Sequence, residues 1–367
     1  MTDKPRARDI GLHFSGKPGP HNTITDVPGV TVGFSTIIED AVEGVHKGLC
    51  TGVTAIIPRG GSGSIQPVWA GINSFNGNGE LTGGHLINDL GWFLGPVMIT
   101  NSHGVGMTSY ATVGWMVDRY KDVFETDHMW CLPVVGETYD GVLNDINARG
   151  VQEHHVLEAL NTATDGSVAE GNVGGGTGMI AYEFKGGTGT ASRKIPVAGA
   201  DYTLGVLVQA NHGTRDWFEV GGVPVGQHMR ENLVFEKEQG SIIIIVATDA
   251  PLLPHQLNRL ARRGSIGIGR NGSKGGHNSG DIFLAFSTAN GQDNPWRAPD
   301  LMNLDVLNDI HLDLFYEACV QAIEEAILNA MIAAEDRVAV KPAGKLVRAI
   351  NHAELIGCLD TTEKDRP

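Results

Sequence analysis

GSIIIIVATDAPLLPHQLNRLARR, at residues 240–263, is the most informative stretch of this sequence for the fold. Its first part, 241–247, is an uninterrupted aliphatic run with the length of a buried strand. The part that follows, 254–264, starts with Pro, repeats apolar residues three and four positions apart, and ends with Gly, which predicts a helix with one apolar face. A strand covered on both faces and followed by such a helix is typical of layered α/β proteins.

The same pattern extends in both directions from this stretch. Other short β-branched or aliphatic runs predict strands at 29–38, 52–59, 96–100, 204–210 and 281–287. The longest helical pattern, 305–335, has apolar positions on more than one face, so we expect it to be buried between a sheet and a neighbour. The chain has no linker, low-complexity tract or internal repeat, and a single domain over 1–367 is expected.

Composition limits the possible partners and locations. About 41% of the 367 residues are hydrophobic, which is enough for a sizeable core. The net charge of -15, with no compensating Lys/Arg block, argues against nucleic acid or an anionic membrane surface as partner. There is neither a signal-like start nor a run of about 18 apolar residues. The sequence therefore predicts a cytoplasmic protein that does not enter a membrane.

Cysteine, histidine and glycine restrict the chemistry. The four cysteines form no CxxC pair and the fourteen histidines no HExxH, so neither a metal nor another cofactor is expected. Glycine accounts for 50 of the 367 residues, about twice the usual share. These glycines are aperiodic and lie between aliphatic strands, which indicates a globular fold with many tight turns and close backbone approaches.

GIGRNG at 267–272 matches the GxGxxG fingerprint of dinucleotide-binding proteins. That fingerprint must follow a strand and open a helix, so that a pyrophosphate meets the helix N-terminus. Here it follows the predicted helix and runs into SKGGHNSGD, which does not look helical. We therefore interpret it as a turn cluster that could shape the wall of a site.

The junction EKEQG-SIIII at 236–245 allows two readings. In one, a charged loop simply enters a core strand. In the other, the hydroxyl of Ser241 attacks the carbonyl of Gly240, which lacks a Cβ and is easily approached. Cleavage would leave Ser241 with a free α-amine of pKa ~8, able to act as a general base near neutral pH.

Other polar residues stand where predicted strands start or end. In HNSGD at 277–281, Ser279 and Asp281 would point the same way on a strand and could form a relay, although Asp281 could instead cap a turn. Glu137 and Tyr139 follow an apolar run, and Asn211 ends another. Such positions often line sites, but turns use the same residue types.

Taken together, these segments resemble the family of L-aminopeptidase/D-amidase-esterases, which includes the β-peptidyl aminopeptidases. The resemblance covers nearly the whole chain and is carried by ITDVPGVTVG (24–33), GVTAIIPRG (52–60), FNGNGELTG (75–83), NSHGVG (101–106), EGNVGGGTGM (170–179), residues 240–263, GIGRNG (267–272) and NSGDIFLAFSTAN (278–290). It implies a four-layer αββα sandwich, similar in layout to the N-terminal-nucleophile (Ntn) hydrolases but different in strand connectivity. It also implies a precursor that splits into a large subunit, 1–240, and a small subunit, 241–367.

The resemblance also implies a role for each candidate residue. Ser241 is the nucleophile at the split after Gly240, and Ser279 and Asp281 are the second serine and the nearby acid, for which some members have Glu. Asn211 provides the oxyanion hole, Tyr139 stands beside the oxyanion, Glu137 grips the free amino group of the substrate and Trp130 walls the pocket. An aminopeptidase must bind an ammonium, and a carboxylate is suited to that task. Neutral donors such as the Asn211 amide suit the oxyanion.

The expected activity is therefore hydrolysis of N-terminal residues from small peptides, amides and esters, without a metal. Members of the family are usually tetramers of the cleaved pair. Two alternatives remain: an ornithine acetyltransferase-like enzyme, which has Thr at the split, and a non-catalytic scaffold that never cleaves.

Overall fold

The computed structural model of the chain describes residues 4–60, 64–197, 199–235, 239–291 and 297–364. Its strands are β1 (Thr31–Glu39), β2 (Leu49–Ile57), β3 (Pro67–Ser74), β4 (Trp92–Leu94), β5 (Val97–Asn101), β6 (Val134–Thr138), β7 (Ile180–Ala181), β8 (Phe184–Lys185), β9 (Gly187–Val197), β10 (Ala200–Asn211), β11 (Ser241–Thr248), β12 (Ile282–Ser287), β13 (Arg337–Val340) and β14 (Ala343–Val347). Its helices are α1 (Gly84–Leu90), α2 (Val105–Arg119), α3 (Lys121–Thr126), α4 (Glu153–Asn161), α5 (Val225–His228), α6 (Pro254–Ala261), α7 (Gly264–Arg270), α8 (Leu312–Ile332) and α9 (His352–Lys364).

Two sheets form the centre of the fold. One has four strands in the order β1-β2-β5-β6, and the other has six in the order β4-β3-β12-β11-β10-β9. In the larger sheet, β11 runs antiparallel to β10 and parallel to β12. This register places Ser241, the first residue of β11, opposite Asn211, the last residue of β10. Two short hairpins, β7–β8 and β13–β14, lie outside these sheets.

Side-chain alternation along β11 shows how the layers stack. Its even-numbered residues from 242 to 246 join a cluster with α6, α7 and α8, whereas its odd-numbered residues from 243 to 247 join a cluster with the four-stranded sheet. The outer face of the four-stranded sheet packs against α2 and α4. The order is thus helices, sheet, sheet, helices, which confirms the predicted αββα sandwich.

Element boundaries differ from the prediction in two places. The predicted helix 254–264 ends earlier, at Ala261, as α6, and a second helix, α7, starts at Gly264 and contains most of GIGRNG. The interpretation of GIGRNG as a turn cluster is therefore wrong. Gly264 begins α7 and does not stop the preceding helix. Its lack of a side chain has another reason: a Cβ there would lie 2.4 Å from the ring of Phe283.

The long helix is shorter than expected at both ends. α8 covers Leu312–Ile332 of the predicted 305–335, and it packs on β9 and β10 with nearly all of its second half buried, as its apolar pattern predicted. Within the described ranges, no helix combines the length and the apolar character needed to cross a bilayer.

Candidate active site

Ser241 stands at the entrance of the central strand of the larger sheet. Its position is odd-numbered in β11, so its side chain faces the second sheet and not the helical layer. Its Oγ accepts a hydrogen bond of 2.8 Å from the backbone N–H of Gly280. Gly280 stands two residues before the start of β12. The side chain is half-buried. The hydroxyl at the start of β11 is thus held by the backbone of the loop that leads into β12.

Asn211 faces Ser241 across the β10–β11 pair and is only 4% exposed. Its Oδ1 accepts from the N–H of Ile180 at 2.8 Å, and its Nδ2 donates to the carbonyl of Tyr139 at 3.0 Å. These two bonds fix the orientation of the amide. An amide nitrogen has two hydrogens, and among the described residues only Tyr139 accepts from this one.

Glu137 comes from the other sheet, in β6, and is 8% exposed. One carboxylate oxygen accepts from the N–H of Glu80 at 3.0 Å, and the other accepts from the hydroxyl of Ser102. Burial raises the pKa of Glu137, while the bonds from Ser102 and Glu80 favour the charged form and limit the rise. A cation that entered the site would stabilise the carboxylate further.

A cleft of about 460 Å³ brings Ser241, Glu137 and Tyr139 together. Its described lining residues include polar ones and two carboxylates but neither Lys nor Arg: Asn78, Gly79, Glu80, Ser102, Val105, Glu137, Tyr139, Gln239, Ser241 and Asn278. The cleft therefore combines a hydroxyl nucleophile with an anionic wall, which suits a substrate that carries a positive charge near its reacting carbonyl.

Ser279 and Asp281 lie beside this cleft but not on a strand. β12 starts only at Ile282, so the prediction that the two side chains share one strand face is wrong. Both residues are fully buried. Ser279 Oγ accepts from the side-chain amide of Asn76 at 2.7 Å, and Asp281 Oδ1 accepts from the N–H of Ile242 at 3.1 Å. The segment 279–281 thus wraps around the start of β11.

The position of Gly240 in the structure requires glycine. A Cβ at this position would lie 1.7 Å from the carbonyl oxygen of Asn211, so a larger residue would have to displace backbone. The bond between Gly240 and Ser241 is therefore pressed against the end of β10 by a contact that requires glycine.

Trp130 does not join this group. It is 52% exposed, stands edge-on to His128 with ring centroids 5.5 Å apart, and is not among the described residues that line the cleft. Its role as a pocket wall stays a prediction.

The predictions from sequence missed several partners of the site residues. Asn76, Ser102 and Gly280 hold Ser279, Glu137 and Ser241, respectively. Ser102 directly follows β5 and Asn76 stands two residues after β3, and both belong to segments that had been singled out only as part of the resemblance. In the part of the chain that the structure describes, no three His, Cys, Asp or Glu side chains are grouped so as to hold a metal ion.

Comparisons with known proteins identify the family of the chain. The model of Peptidase family S58 matches residues 22–343. The chain is 46% identical to "Beta-peptidyl aminopeptidase BapA" of Sphingosinicella microcystinivorans, over 96% of this chain and 91% of that protein. It is 44% identical to the protein of that name from Sphingosinicella xenopeptidilytica, over 90% of this chain and 85% of the relative.

Solved structures are similar over almost the full length. The L-aminopeptidase D-Ala-esterase/amidase of Ochrobactrum anthropi, described as a prototype of the serine aminopeptidases and a new variant of the Ntn hydrolase fold, is 56% identical with a TM-score of 0.95, over 98% of this chain and 99% of that one. A β-aminopeptidase of Burkholderia sp. is 42% identical with a TM-score of 0.89, over 99% of this chain and 100% of that one. The chain therefore belongs to Peptidase family S58 and is a serine aminopeptidase with this variant of the Ntn hydrolase fold.

Proposed function

We propose that the chain cleaves itself between Gly240 and Ser241, and that the released Ser241 then removes N-terminal residues from small peptides, amino-acid amides and esters. The observation that carries this proposal is the single cleft in which Ser241 meets the buried carboxylate of Glu137 and the side chain of Tyr139. A carboxylate so near the nucleophile suits substrates with a free amino group.

The self-cleavage step follows from the same residues. Ser241 Oγ attacks the Gly240 carbonyl carbon, the C–N bond to Ser241 breaks, and the serine nitrogen takes up the proton of the hydroxyl. This leaves Gly240 as an ester on Ser241, and water hydrolyses the ester to a carboxylate and a free hydroxyl. The tight contact between Gly240 and the carbonyl of Asn211 supports a fixed conformation of this bond.

Turnover of a substrate repeats the acyl transfer with an external carbonyl. Glu137 binds the substrate ammonium, and Ser241 Oγ attacks the adjacent carbonyl. The second Nδ2 hydrogen of Asn211 stabilises the oxyanion, with Tyr139 beside it. The α-amine of Ser241 is the base. Ser279 and Asp281 have supporting roles, with Ser279 bridging to the amine and Asp281 orienting it. Trp130 is kept as the proposed pocket wall.

The two alternative functions have less support. An ornithine acetyltransferase-like enzyme would have Thr at position 241, and the relatives named above are aminopeptidases. A scaffold would not need a hydroxyl and a carboxylate in one cleft, with an oriented amide paired opposite the hydroxyl. A tetramer of cleaved pairs and a cytoplasmic location complete the proposal; both rest on the family resemblance and composition alone.

The test is the variant Ser241→Ala. Wild-type protein should run on a denaturing gel as one piece of 240 residues and one of the remaining 127, the smaller beginning SIIII. The variant should stay a single folded chain without activity, because alanine has no hydroxyl. Cleavage that persists in the variant, or a wild type that stays whole and inactive, would overturn the proposal.

A further inference from the structure

The segment 229–235, just upstream of the junction, is held by polar side chains from the rest of the chain. The guanidinium of Arg215 donates to the carbonyls of Met229 and Glu231. The Glu183 carboxylate accepts from the N–H groups of Val234, at 2.7 Å, and Phe235, at 3.0 Å. Lys345, on β14, donates to the carbonyl of Leu233 at 2.5 Å. Side chains from three parts of the sequence thus converge on seven consecutive residues.

Glu183 and Arg215 form one unit. The backbone N–H of Arg215 donates to the Glu183 carboxylate at 2.9 Å, and its guanidinium donates to the Glu183 carbonyl at 2.9 Å. The two residues are 4% and 2% exposed. Buried charges are retained in proteins when they are paired and fully hydrogen-bonded. Here most of those bonds go to the segment 229–235 or to each other.

The backbone at Glu183 is also unusual. Tyr182 and Glu183 form the two-residue turn of the β7–β8 hairpin with φ of 48° and 63°. Turns of this kind favour Asn-Gly, because both central residues need positive φ. A glutamate kept in a strained conformation, where its side chain reaches the backbone of another segment, indicates a functional reason for the strain.

This hairpin connects the segment 229–235 to the reaction centre. Its first residue, Ile180, donates to Asn211, the amide beside Ser241. Phe235 and Gly240 line the same small cavity, together with Asn211 and Tyr139. Only four residues separate Phe235 from Gly240. Fixing the backbone at Phe235 therefore restricts the orientations that the Gly240–Ser241 peptide bond can adopt beside the Ser241 hydroxyl.

We propose that Glu183, Arg215 and Lys345 form a clamp that positions the Gly240–Ser241 bond for self-cleavage. They are positioning residues, since they act through the segment 229–235. This inference rests on the self-cleavage proposed above. Once the bond is broken, the Gly240 end no longer has to meet Ser241, so the clamp governs the rate of processing and not the turnover of substrates.

Lys345→Met provides the first test, because Lys345 is only half-buried and lies on a peripheral hairpin. Lys341→Met, an exposed lysine between the strands of the same hairpin, is the matched control. Processing is followed on denaturing gels after synthesis in a cell-free system. We expect Lys345→Met to slow cleavage at least about tenfold, the scale of rate loss from a small misplacement. The control should cleave at the wild-type rate.

Two further readouts separate positioning from a structural role. The melting temperature of the unprocessed Lys345→Met chain should match that of the control, and its processed form should keep kcat/KM within about twofold of the wild type. Glu183→Gln, which keeps the shape but removes the charge, should also slow processing. Unchanged processing in both variants, or equal losses in processing, stability and kcat/KM, would overturn the clamp. If the wild type does not cleave, or Ser241→Ala does, self-cleavage itself fails, and this result is distinct from failure of the clamp.

Discussion

At Glu137, burial and charge oppose each other. Burial raises the pKa of this carboxyl, and the cleft offers it hydrogen bonds from Ser102 and Glu80, but neither Lys nor Arg is among the described residues that line the cleft. Such a site is incomplete until a cation enters it. The residue thus has the properties expected of a binding group for a substrate ammonium, at some expense in the stability of the free enzyme.

Replacing Glu137 by Gln should therefore weaken catalysis. We expect a loss in kcat/KM worth about 2–4 kcal/mol, since the ammonium would be desolvated without a charged partner. The measurement compares aminoacyl p-nitroanilides with their N-acetylated forms. Wild-type protein should refuse the acetylated substrates, which lack the charge. Equal turnover of both by the wild type would mean that Glu137 has another role.

The same variant should change the pH dependence of activity and stability. Because the folded-state pKa of Glu137 is raised, kcat/KM should fall as the pH drops through a value above the usual range of glutamate. For stability the sign is the reverse: a raised pKa favours the protonated folded state, so stability is lost as the pH rises through that value. Glu137→Gln should remove this loss and melt higher than the wild type at neutral pH, although it is less active.

Sequence reasoning at this scale found residues but not their partners. Ser241, Asn211 and Glu137 stand at or near strand ends, a position that can be read from the alternation of apolar residues. Asn76 and Ser102 also follow strands, yet what they contact depends on how two sheets stack. Trp130 had no local signal that placed it at the cleft, and it lies outside the described lining.

At the scale of elements, aliphatic strands were predicted from the sequence, whereas a strand rich in glycine and polar residues was missed. The run SIIIIVAT was recognisable because every residue after Ser241 is aliphatic until Thr248. β9 was missed, because its sequence GTGTASRKIPV is mostly small and polar although it is buried. Its partner explains this: a Cβ at Gly189 would lie 2.0 Å from the carbonyl of Ala326 in α8. Close helix-on-sheet packing, and not hydrophobicity, selected these residues.

The helix α7 offers a matched pair of variants for this argument. A Cβ at Gly267 would meet Ile323 of α8 at 2.5 Å, whereas one at Gly269 has nothing within 4 Å. Gly269→Ala should stabilise the protein by about 0.5–1 kcal/mol through helix propensity. Gly267→Ala gains the same propensity but overpacks the core, which costs about 1–3 kcal/mol, so it should be neutral or destabilising. Urea midpoints at constant slope test this; equal shifts for both variants would contradict it.

At the scale of the whole molecule, the proposed cut divides a continuous structure. The strands β11 and β12 would belong to the small piece, and they lie between β3 and β10 of the large piece in one sheet. α8 of the small piece covers β9 and β10. The buried carboxylate of Glu325 in α8 binds Arg8 and Arg193, both from the large piece. None of these contacts requires the Gly240–Ser241 bond to be intact.

The two pieces should therefore remain one particle after cleavage. Separating them would break two strand interfaces and expose the apolar faces of α8 and β11, and buried apolar area dominates stability. With an affinity tag on the small piece only, the large piece should co-purify in native buffer and be lost in concentrated guanidinium. The cleaved protein and the uncleaved Ser241→Ala chain should each unfold in a single transition, since the core spans both pieces. Recovery of the tagged piece alone under native conditions would show that the covalent link, and not the shared sheet and core, holds the molecule together.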